Sequence, residues 1–132
     1  MTIQLLDLNK VRLFCYENRI SDKRVESIIR GIELNESFPA VSICFLEKDN
    51  YLLLRPEGGH ARAVGHYLSN ELLKIDLKSL DEEIQGYASG QKVRDFVTID
   101  WPRRIFIGDI LLIDDQLMVH NYDLKRRHQF YR

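Results

Sequence analysis

The first half of the chain carries hydrophobic positions at two spacings, one typical of strands and one typical of a helix. Residues 11–15 are rich in strand-favouring types. After Ser21, apolar residues recur at the i, i+3, i+4 and i+7 spacing of one helix face, and a serine can cap the first turn. Residues 41–46 are β-branched and aromatic, and a polar turn at residues 48–50 separates them from the apolar residues 51–54. The pattern predicts a strand, a helix starting after Ser21 and a β-hairpin.

A glycine pair separates the hairpin from a second helical stretch. Gly58 and Gly59 end the strand, and apolar residues at helical spacing then run to about residue 70. Residues 74–77 favour a further strand. The central part of the chain is therefore predicted to run strand, glycine turn, helix, strand.

The last part of the chain mixes one helix signal with several strand signals. Ser79 and Glu82 have the spacing of a capping box, which predicts a helix that ends at Gly90. Its inward-facing residues would be Leu80, Ile84, Tyr87 and Ala88. Later runs that resemble short strands are residues 93–99, 104–107, 110–113 and 116–120. Together the elements predict an α/β (α+β) fold, a small mixed sheet with flanking helices and a β-rich C-terminal appendage.

The composition fits one domain and excludes several classes of protein. With 132 residues, 45% hydrophobic and 30% charged, the chain has the size of a single domain. We expect residues 1–90 to form this domain and residues 91–132 to extend it. No apolar run approaches the roughly 18 residues of a membrane span, and residues 1–10 lack the apolar core of a secretion signal. We therefore expect a cytoplasmic protein without a membrane partner. Because the net charge is -1, any binding to nucleic acid must use a local patch.

The two cysteines, Cys15 and Cys44, are each embedded in an apolar run. Such cysteines are expected to be small buried hydrophobes in a reducing compartment. A disulfide between neighbouring strands remains the alternative, because the distance between two Cα atoms is not readable from a sequence.

The glycine pair also carries the first candidate for chemistry. A strand that delivers glycines into the start of a helix leaves backbone N–H groups at a point where the helix dipole favours an anion such as phosphate. Arg62 can offer a planar fork to phosphate oxygens. His66 follows Arg62 at i+4, so it is expected to face the same pocket as a donor or a proton carrier. The alternative is an ordinary tight turn at Gly58 and Gly59.

The turn and its flanking elements resemble the ParB/sulfiredoxin-like superfamily. In that superfamily a strand leads into a Gly-x-x-Arg turn and a helix. Gly59 and Arg62 occupy the two fixed positions, and His60 and Ala61 lie between them.

A second likeness lies upstream. The sequence Tyr16-Glu17-Asn18-Arg19, the first predicted helix and the proline-led strand after Phe38 resemble that family's asparagine/arginine motif, helix and strand, in the same order. The likeness covers residues 11–77.

The resemblance implies a ParB N-terminal-like domain whose two motifs flank a nucleotide pocket. The family uses this pocket for a nucleotide switch in ParB, for phosphorylating a sulfinic acid in sulfiredoxin, and for kinase chemistry in archaeal free-serine kinases. By that likeness the residues from Gly58 to Arg62 would hold a nucleoside triphosphate with Mg²⁺. Arg19 would support the phosphates, and Asn18 would fix the turn or the ligand. Fold transfers between such proteins better than reaction does.

Two positions depart from the family pattern. Sulfiredoxin-like enzymes carry a cysteine where this chain has His60, so the nucleophile of that reaction is absent. The serine-kinase-like motif begins with an aspartate where this chain has Gly58. Glu17 stands where those kinases keep a catalytic carboxylate and would act as a general base, or else it is a solvated turn residue. Glu57 offers a second carboxylate with the same two interpretations.

The C-terminal residues suggest a different ligand. The tail mixes aromatic residues with Lys125, Arg126, Arg127 and Arg132. Such a mixture contacts phosphates and stacks on bases in nucleic-acid-binding proteins. The alternative is a solvated tail.

Metal-ligating residue types occur without the spacing of a recognisable metal site. Asp109, Asp114 and Asp115 supply oxygen ligands, but hard cations need several convergent oxygens, and a turn explains the aspartates more simply. The four histidines lack zinc-type spacing with the cysteines. The sequence therefore predicts no resident metal.

The sequence leads to one main functional expectation and two alternatives. The first is a ParB-like domain that binds nucleotides, with NTP hydrolysis or phosphoryl transfer as the accompanying reaction. The alternatives are a non-catalytic DNA- or RNA-associated binding module, and a plasmid or phage accessory protein with a degenerate pocket. No helix-turn-helix region follows the ParB-like part, because the remaining residues read as strands.

Overall fold

The computed structural model of the chain describes residues 2–55, 58–84, 90–114 and, for the backbone, 119–120. The helices are α1 (Asp22–Glu33), α2 (His60–Ser69) and α3 (Val93–Asp100). The strands are β1 (Ile3–Leu6), β2 (Arg12–Cys15), β3 (Arg19–Ser21), β4 (Val41–Glu47), β5 (Asn50–Leu53), β6 (Leu73–Lys78), β7 (Ile105–Phe106), β8 (Leu111–Ile113) and β9 (Val119–His120).

The strands form a six-stranded mixed sheet in the order β1-β6-β4-β5-β2-β7 and a three-stranded sheet in the order β3-β8-β9. In the larger sheet, β4 and β5 pair antiparallel, as the predicted hairpin requires. On its other side, β4 pairs parallel with β6. β2 runs parallel to β5, and β1 and β7 pair antiparallel at the two edges. The expected mixed α+β architecture is therefore confirmed.

The larger sheet is covered on both faces, because neighbouring residues of a strand point to opposite sides. Ile43 belongs to a buried cluster that includes Val25 of α1 and Val64 of α2. Cys44, the next residue of β4, belongs to a second cluster with Phe96 of α3. Helices α1 and α2 thus cover one face of the sheet and α3 covers the other.

The two cysteines lie in these two different clusters, and both are free thiols. Burial, with a smaller contribution from Glu17, raises the pKa of Cys15 to about 12. Burial raises the pKa of Cys44 to about 11. The expectation that both cysteines are buried is confirmed, and the alternative of a disulfide between them is wrong.

Helix α1 begins where the sequence predicts. The hydroxyl of Ser21 accepts a hydrogen bond from the Arg24 N–H at 3.4 Å, and Val25 is buried on the inner face. Helix α2 packs closely on α1 through Gly65, where an added Cβ would lie 2.5 Å from Ile28 Cγ2. Within the described residues, no helix combines the length and the apolar character needed to cross a bilayer.

The strand predicted at residues 93–99 is wrong, because this segment is helix α3. Its β-branched residues favour a strand, but Val93, Phe96 and Asp100 are buried at helical spacing over the second face of the sheet. The Asp95 carboxylate accepts the N–H of Lys92 at 2.9 Å and closes the first turn. Burial of one helical stripe has overridden strand propensity here.

The predicted helix from Ser79 to Gly90 is also wrong where the structure describes it. Residues 80–84 form turns, and Glu83 makes an isolated antiparallel bridge with Lys92. The Glu82 carboxylate still accepts the Ser79 N–H at 3.2 Å, as in a capping box, so the local contact forms without a helix. Residues 85–89, including Tyr87 and Ala88, lie outside the described residues.

The C-terminal strands are distributed over both sheets. Within the predicted runs 104–107 and 110–113, β7 joins the large sheet and β8 pairs with β3 of the first half of the chain. Only residues 119–120 of the run 116–120 are described, as β9. Strands β1 and β3 were not predicted. The β-rich appendage is therefore interleaved with the N-terminal half.

Candidate functional site: the groove at the start of α2

The glycine turn gives α2 a start that other residues rarely adopt. Gly58 has a φ of 66° and Gly59 a φ of 116°, both in the region that favours glycine. A side chain on Gly59 would also collide with β4, since an added Cβ would lie 2.7 Å from Val41 Cγ1. The same atom on Gly58 would meet nothing within 4 Å. The turn therefore brings the N-terminus of α2 close to the sheet.

Replacing Gly59 with alanine is expected to destabilise the fold more than the same change at Gly58. Both variants place a Cβ on left-handed backbone, which costs about 1–3 kcal/mol. Only Gly59→Ala adds a collision in the packed sheet, worth a further 1–3 kcal/mol or so. Urea denaturation of the two variants measures the difference, and equal losses would contradict this account of the turn.

An open groove of about 400 Å³ lies at the N-terminus of α2. Its walls are Arg24, Ser27 and Ile28 of α1, the turn residues Gly58 and Gly59, and Ala61 and Arg62 of α2. No side chain caps the first turn of α2. The N–H groups of that turn therefore lack intrahelical partners, at the end of the helix where the dipole favours an anion. An arginine on each wall adds positive charge to the groove.

Arg24 was not singled out from the sequence. It lies on the same face of α1 as Ser27 and Ile28, at the i, i+3 and i+4 spacing. That face meets α2 because Gly65 lets the two helices approach. Gly65, within the predicted second helix, was thus the available signal that two helices pack closely. Such packing could have indicated that a residue of α1 reaches the site.

Arg62 borders the groove, but part of its guanidinium holds the backbone. Its Nη1 donates to the carbonyl oxygens of Pro39 at 2.7 Å and Ala40 at 3.3 Å. These contacts tie the start of α2 to the segment that enters β4. Arg62 therefore has a structural role beside any contact with phosphate.

His66 lies in a second, smaller groove. Its Nδ1 is 2.6 Å from the Arg62 carbonyl oxygen, and its ring meets the edge of Phe38 with ring centroids 5.7 Å apart. This groove of about 210 Å³ is also bordered by Arg62 and Lys74. His66 thus shares a groove with Arg62, as its spacing predicted, but it does not line the groove at the glycine turn.

The upstream motif meets the glycine turn through Tyr16, Glu17 and His60. The Tyr16 and His60 rings contact edge to face, with centroids 4.3 Å apart. The Glu17 carboxylate is 3.9 Å from His60 Nδ1. Burial lowers the pKa of His60 to about 4, with a smaller contribution from the nearby positive charge of Arg24. His60 is therefore neutral near pH 7, and the Glu17 carboxylate, about half exposed, lies beside it at the start of α2.

An ion pair between Arg55 and the buried carboxylate of Asp100 lies next to Tyr16. Arg55 donates from Nε to Asp100 Oδ2 at 3.2 Å and from Nη2 to Oδ1. Its guanidinium also lies 4.8 Å from the centroid of the Tyr16 ring. The Tyr16 hydroxyl donates to the Arg55 carbonyl oxygen at 2.9 Å. Arg55 thus fixes Tyr16, and Tyr16 precedes Glu17 in the chain.

Asn18 and Arg19 belong to another part of the structure. The Asn18 carbonyl oxygen accepts the Leu111 N–H at 2.9 Å, and Arg19 pairs with Leu111 between β3 and β8. Both side chains are exposed and line neither groove. The structure therefore brings Glu17, Gly58, Gly59, and the residues from His60 to Arg62 together. It places Arg19 in the small sheet and Asn18 just before it, where the Asn18 carbonyl oxygen bonds to β8.

Several candidates lie outside the described residues. These are Glu57, Asp115 and the tail residues Lys125, Arg126, Arg127 and Arg132. Among the residues that are described, no three histidine, cysteine or acidic side chains converge as a metal site would require.

Comparisons with protein-family models, with curated proteins and with solved structures find no match to this chain. The geometry of the site and the likeness of its motifs are therefore the features that bear on function.

Proposed function

We propose that the protein binds the phosphate groups of a nucleotide in the groove between α1 and the first turn of α2. The observation that supports this proposal most strongly is the uncapped N-terminus of α2, flanked by Arg24 and Arg62. Phosphate is the anion for which such a helix start, with adjacent arginines, is best suited.

The likeness to ParB-like domains adds support to this assignment. Its two motifs are separated by 40 residues or so of sequence, yet Glu17 lies 3.9 Å from His60 at the start of α2. The likeness would also place Asn18 and Arg19 at the ligand, but Arg19 lies in the small sheet and the Asn18 carbonyl oxygen bonds to its strand β8. In our proposal Arg24 takes the supporting role that the likeness gives to Arg19.

Glu17 is the residue we propose for any chemistry at the site. A half-exposed carboxylate beside a phosphate groove can accept a proton from an attacking hydroxyl or water, which suits phosphoryl transfer or NTP hydrolysis. Mg²⁺ would arrive with the nucleotide, since this ion commonly binds through substrate phosphates and one or two carboxylates. Its part would be to neutralise charge on the phosphates.

Arg24→Gln is expected to weaken nucleotide binding by about 10- to 100-fold. A charge-assisted hydrogen bond contributes about 1.5–3 kcal/mol, and each 1.4 kcal/mol or so is tenfold in Kd. The Arg24 side chain is exposed, so its loss should leave the fold intact. Thermal unfolding with ATP, CTP or GTP and Mg²⁺ at low salt measures the effect.

The matched control is Arg30→Gln, which removes the same charge from the other end of α1. Arg30 is exposed in the last turn of the helix and does not line the groove. We expect nucleotides to stabilise the wild type and Arg30→Gln equally. The proposed site would be rejected if nucleotides stabilised Arg24→Gln as much as the wild type. It would also be rejected if nucleotides stabilised none of the three proteins.

A further inference from the structure

A second positively charged surface lies at the turn after α3. Trp101–Arg103 forms a short 3₁₀ helix, and Arg104 ends it. Pro102, Arg103 and Arg104 are exposed, and Trp101 is half-buried. We call Trp101, Arg103 and Arg104 the arginine corner. It borders the β7 edge of the large sheet and is separate from both grooves described above.

Arg104 is held in a defined position by its backbone and by the indole. Its φ of 48° lies in the left-handed region that non-glycine residues seldom adopt. Its guanidinium lies 5.0 Å from the centroid of the Trp101 ring. Stacking on an aromatic face leaves the N–H groups at the rim of a guanidinium able to donate in its plane. Arg104 thus presents a preorganised donor fork at the surface.

Trp101 is itself fixed from the protein side. The Phe14 ring meets it edge to face, with centroids 5.1 Å apart and an interplanar angle of 88°. The indole is therefore anchored on the sheet, while part of its surface reaches solvent. An anchored, partly exposed aromatic ring beside arginines is the arrangement on which the bases of single-stranded nucleic acid stack.

The charge around the corner favours an anion. Arg103 Nη1 donates to the Tyr16 carbonyl oxygen at 3.4 Å, a long hydrogen bond, and the Arg103 side chain is exposed. The nearby carboxylate of Asp100 is 1% exposed and is paired with Arg55, so its negative charge is compensated inside the protein. Asp100 therefore does not neutralise the charges of Arg103 and Arg104, whose side chains face solvent.

We propose that the arginine corner binds single-stranded nucleic acid, with Arg103 and Arg104 contacting phosphates and Trp101 stacking on a base. This role goes beyond the binding of nucleotides at α2 and does not depend on it. The ligand class follows from the combination of two arginines for the backbone and one anchored ring for a base.

The experiment uses the fact that Trp101 is the single tryptophan of the chain. We expect an oligothymidylate to quench the intrinsic fluorescence of the full-length protein at low salt, since a stacked base lies against the indole. Anisotropy of a labelled oligonucleotide gives the affinity independently. The log of the affinity should fall with the log of salt concentration, by about 0.7 for each phosphate contact.

The test variant is Arg103→Gln combined with Arg104→Asn, because asparagine tolerates left-handed backbone. We expect it to bind the labelled oligonucleotide at least about tenfold more weakly and with a salt slope smaller by about 1.4. Arg30→Gln should bind as the wild type does, because Arg30 belongs neither to the arginine corner nor to the groove at α2. Circular dichroism verifies that each variant is folded.

Three results would overturn the proposal. The first is that the wild type does not bind the oligonucleotide at low salt. The second is that the double variant binds with unchanged affinity and unchanged salt slope. The third is that heparin quenches the fluorescence of Trp101 as strongly as the oligonucleotide does. The last result would mean that the corner attracts polyanions in general.

Discussion

Arg55→Met is expected to lower the free energy of unfolding by about 3–5 kcal/mol, because it leaves the carboxylate of Asp100 buried without its cation. Asp100 is 1% exposed, and Arg55 contacts both of its oxygens. Urea denaturation at pH 7 measures the loss.

The matched comparison is the double variant Arg55→Met/Asp100→Asn. Because the buried charge is then removed together with its partner, we expect the double variant to be more stable than Arg55→Met alone. The single variant Asp100→Asn completes the comparison. If the loss in the double variant equals the sum of the losses in Arg55→Met and Asp100→Asn, the ion pair does not carry the energy that we assign to it. The pair also fixes Tyr16, so Arg55→Met should weaken nucleotide binding as well.

The second large effect is a loss of stability in acid that depends on His60. Burial lowers the pKa of His60 from 6.5 to about 4. Between these two values the unfolded chain binds a proton that the folded chain does not, so stability is full above pH 6.5 and falls as the pH drops towards 4. A difference of 2.5 or so pKa units corresponds to about 3 kcal/mol.

His60→Gln removes this titration while keeping a neutral polar side chain. We expect the free energy of unfolding of the wild type to fall by about 3 kcal/mol more than that of the variant between pH 7 and pH 4. Denaturation with urea at a series of pH values gives both curves. Parallel curves would show that His60 does not titrate as its burial implies. Acidic groups far from His60 affect both proteins alike, so the difference reports on His60 and its neighbours Glu17 and Asp100.

Local patterns in the sequence predicted much of the fold. Helix α1 follows from the apolar spacing after Ser21, and the β4–β5 hairpin follows from two strand-like runs around a polar turn. These features depend on residues close together in the chain. Helix α3 was missed because its β-branched residues favour a strand, although Val93 and Phe96 have helical spacing. The choice between strand and helix depends on packing against the sheet face that α3 covers, which is not visible in the local sequence.

The candidate site shows the same limit. Gly59 could be found from the sequence, because its turn is local, and its φ of 116° agrees with the need for glycine. Arg24 could not be found, because it reaches the groove only through the packing of α1 on α2 at Gly65. Arg19 was expected at the ligand from its place in a motif, but pairing of β3 with β8 carries it to the small sheet.

The binding of phosphate at the start of α2 is tested most directly by NMR titration of the ¹⁵N-labelled protein with ATP and Mg²⁺. If phosphate binds there, we expect the largest, saturable shifts of backbone amides on residues 58–62, with smaller shifts in α1 around Arg24 and Ser27. Arg24→Gln should require a concentration about 10- to 100-fold higher for the same shifts. Saturable shifts that leave residues 58–62 unchanged, or no shifts at all, would contradict phosphate binding at the start of α2.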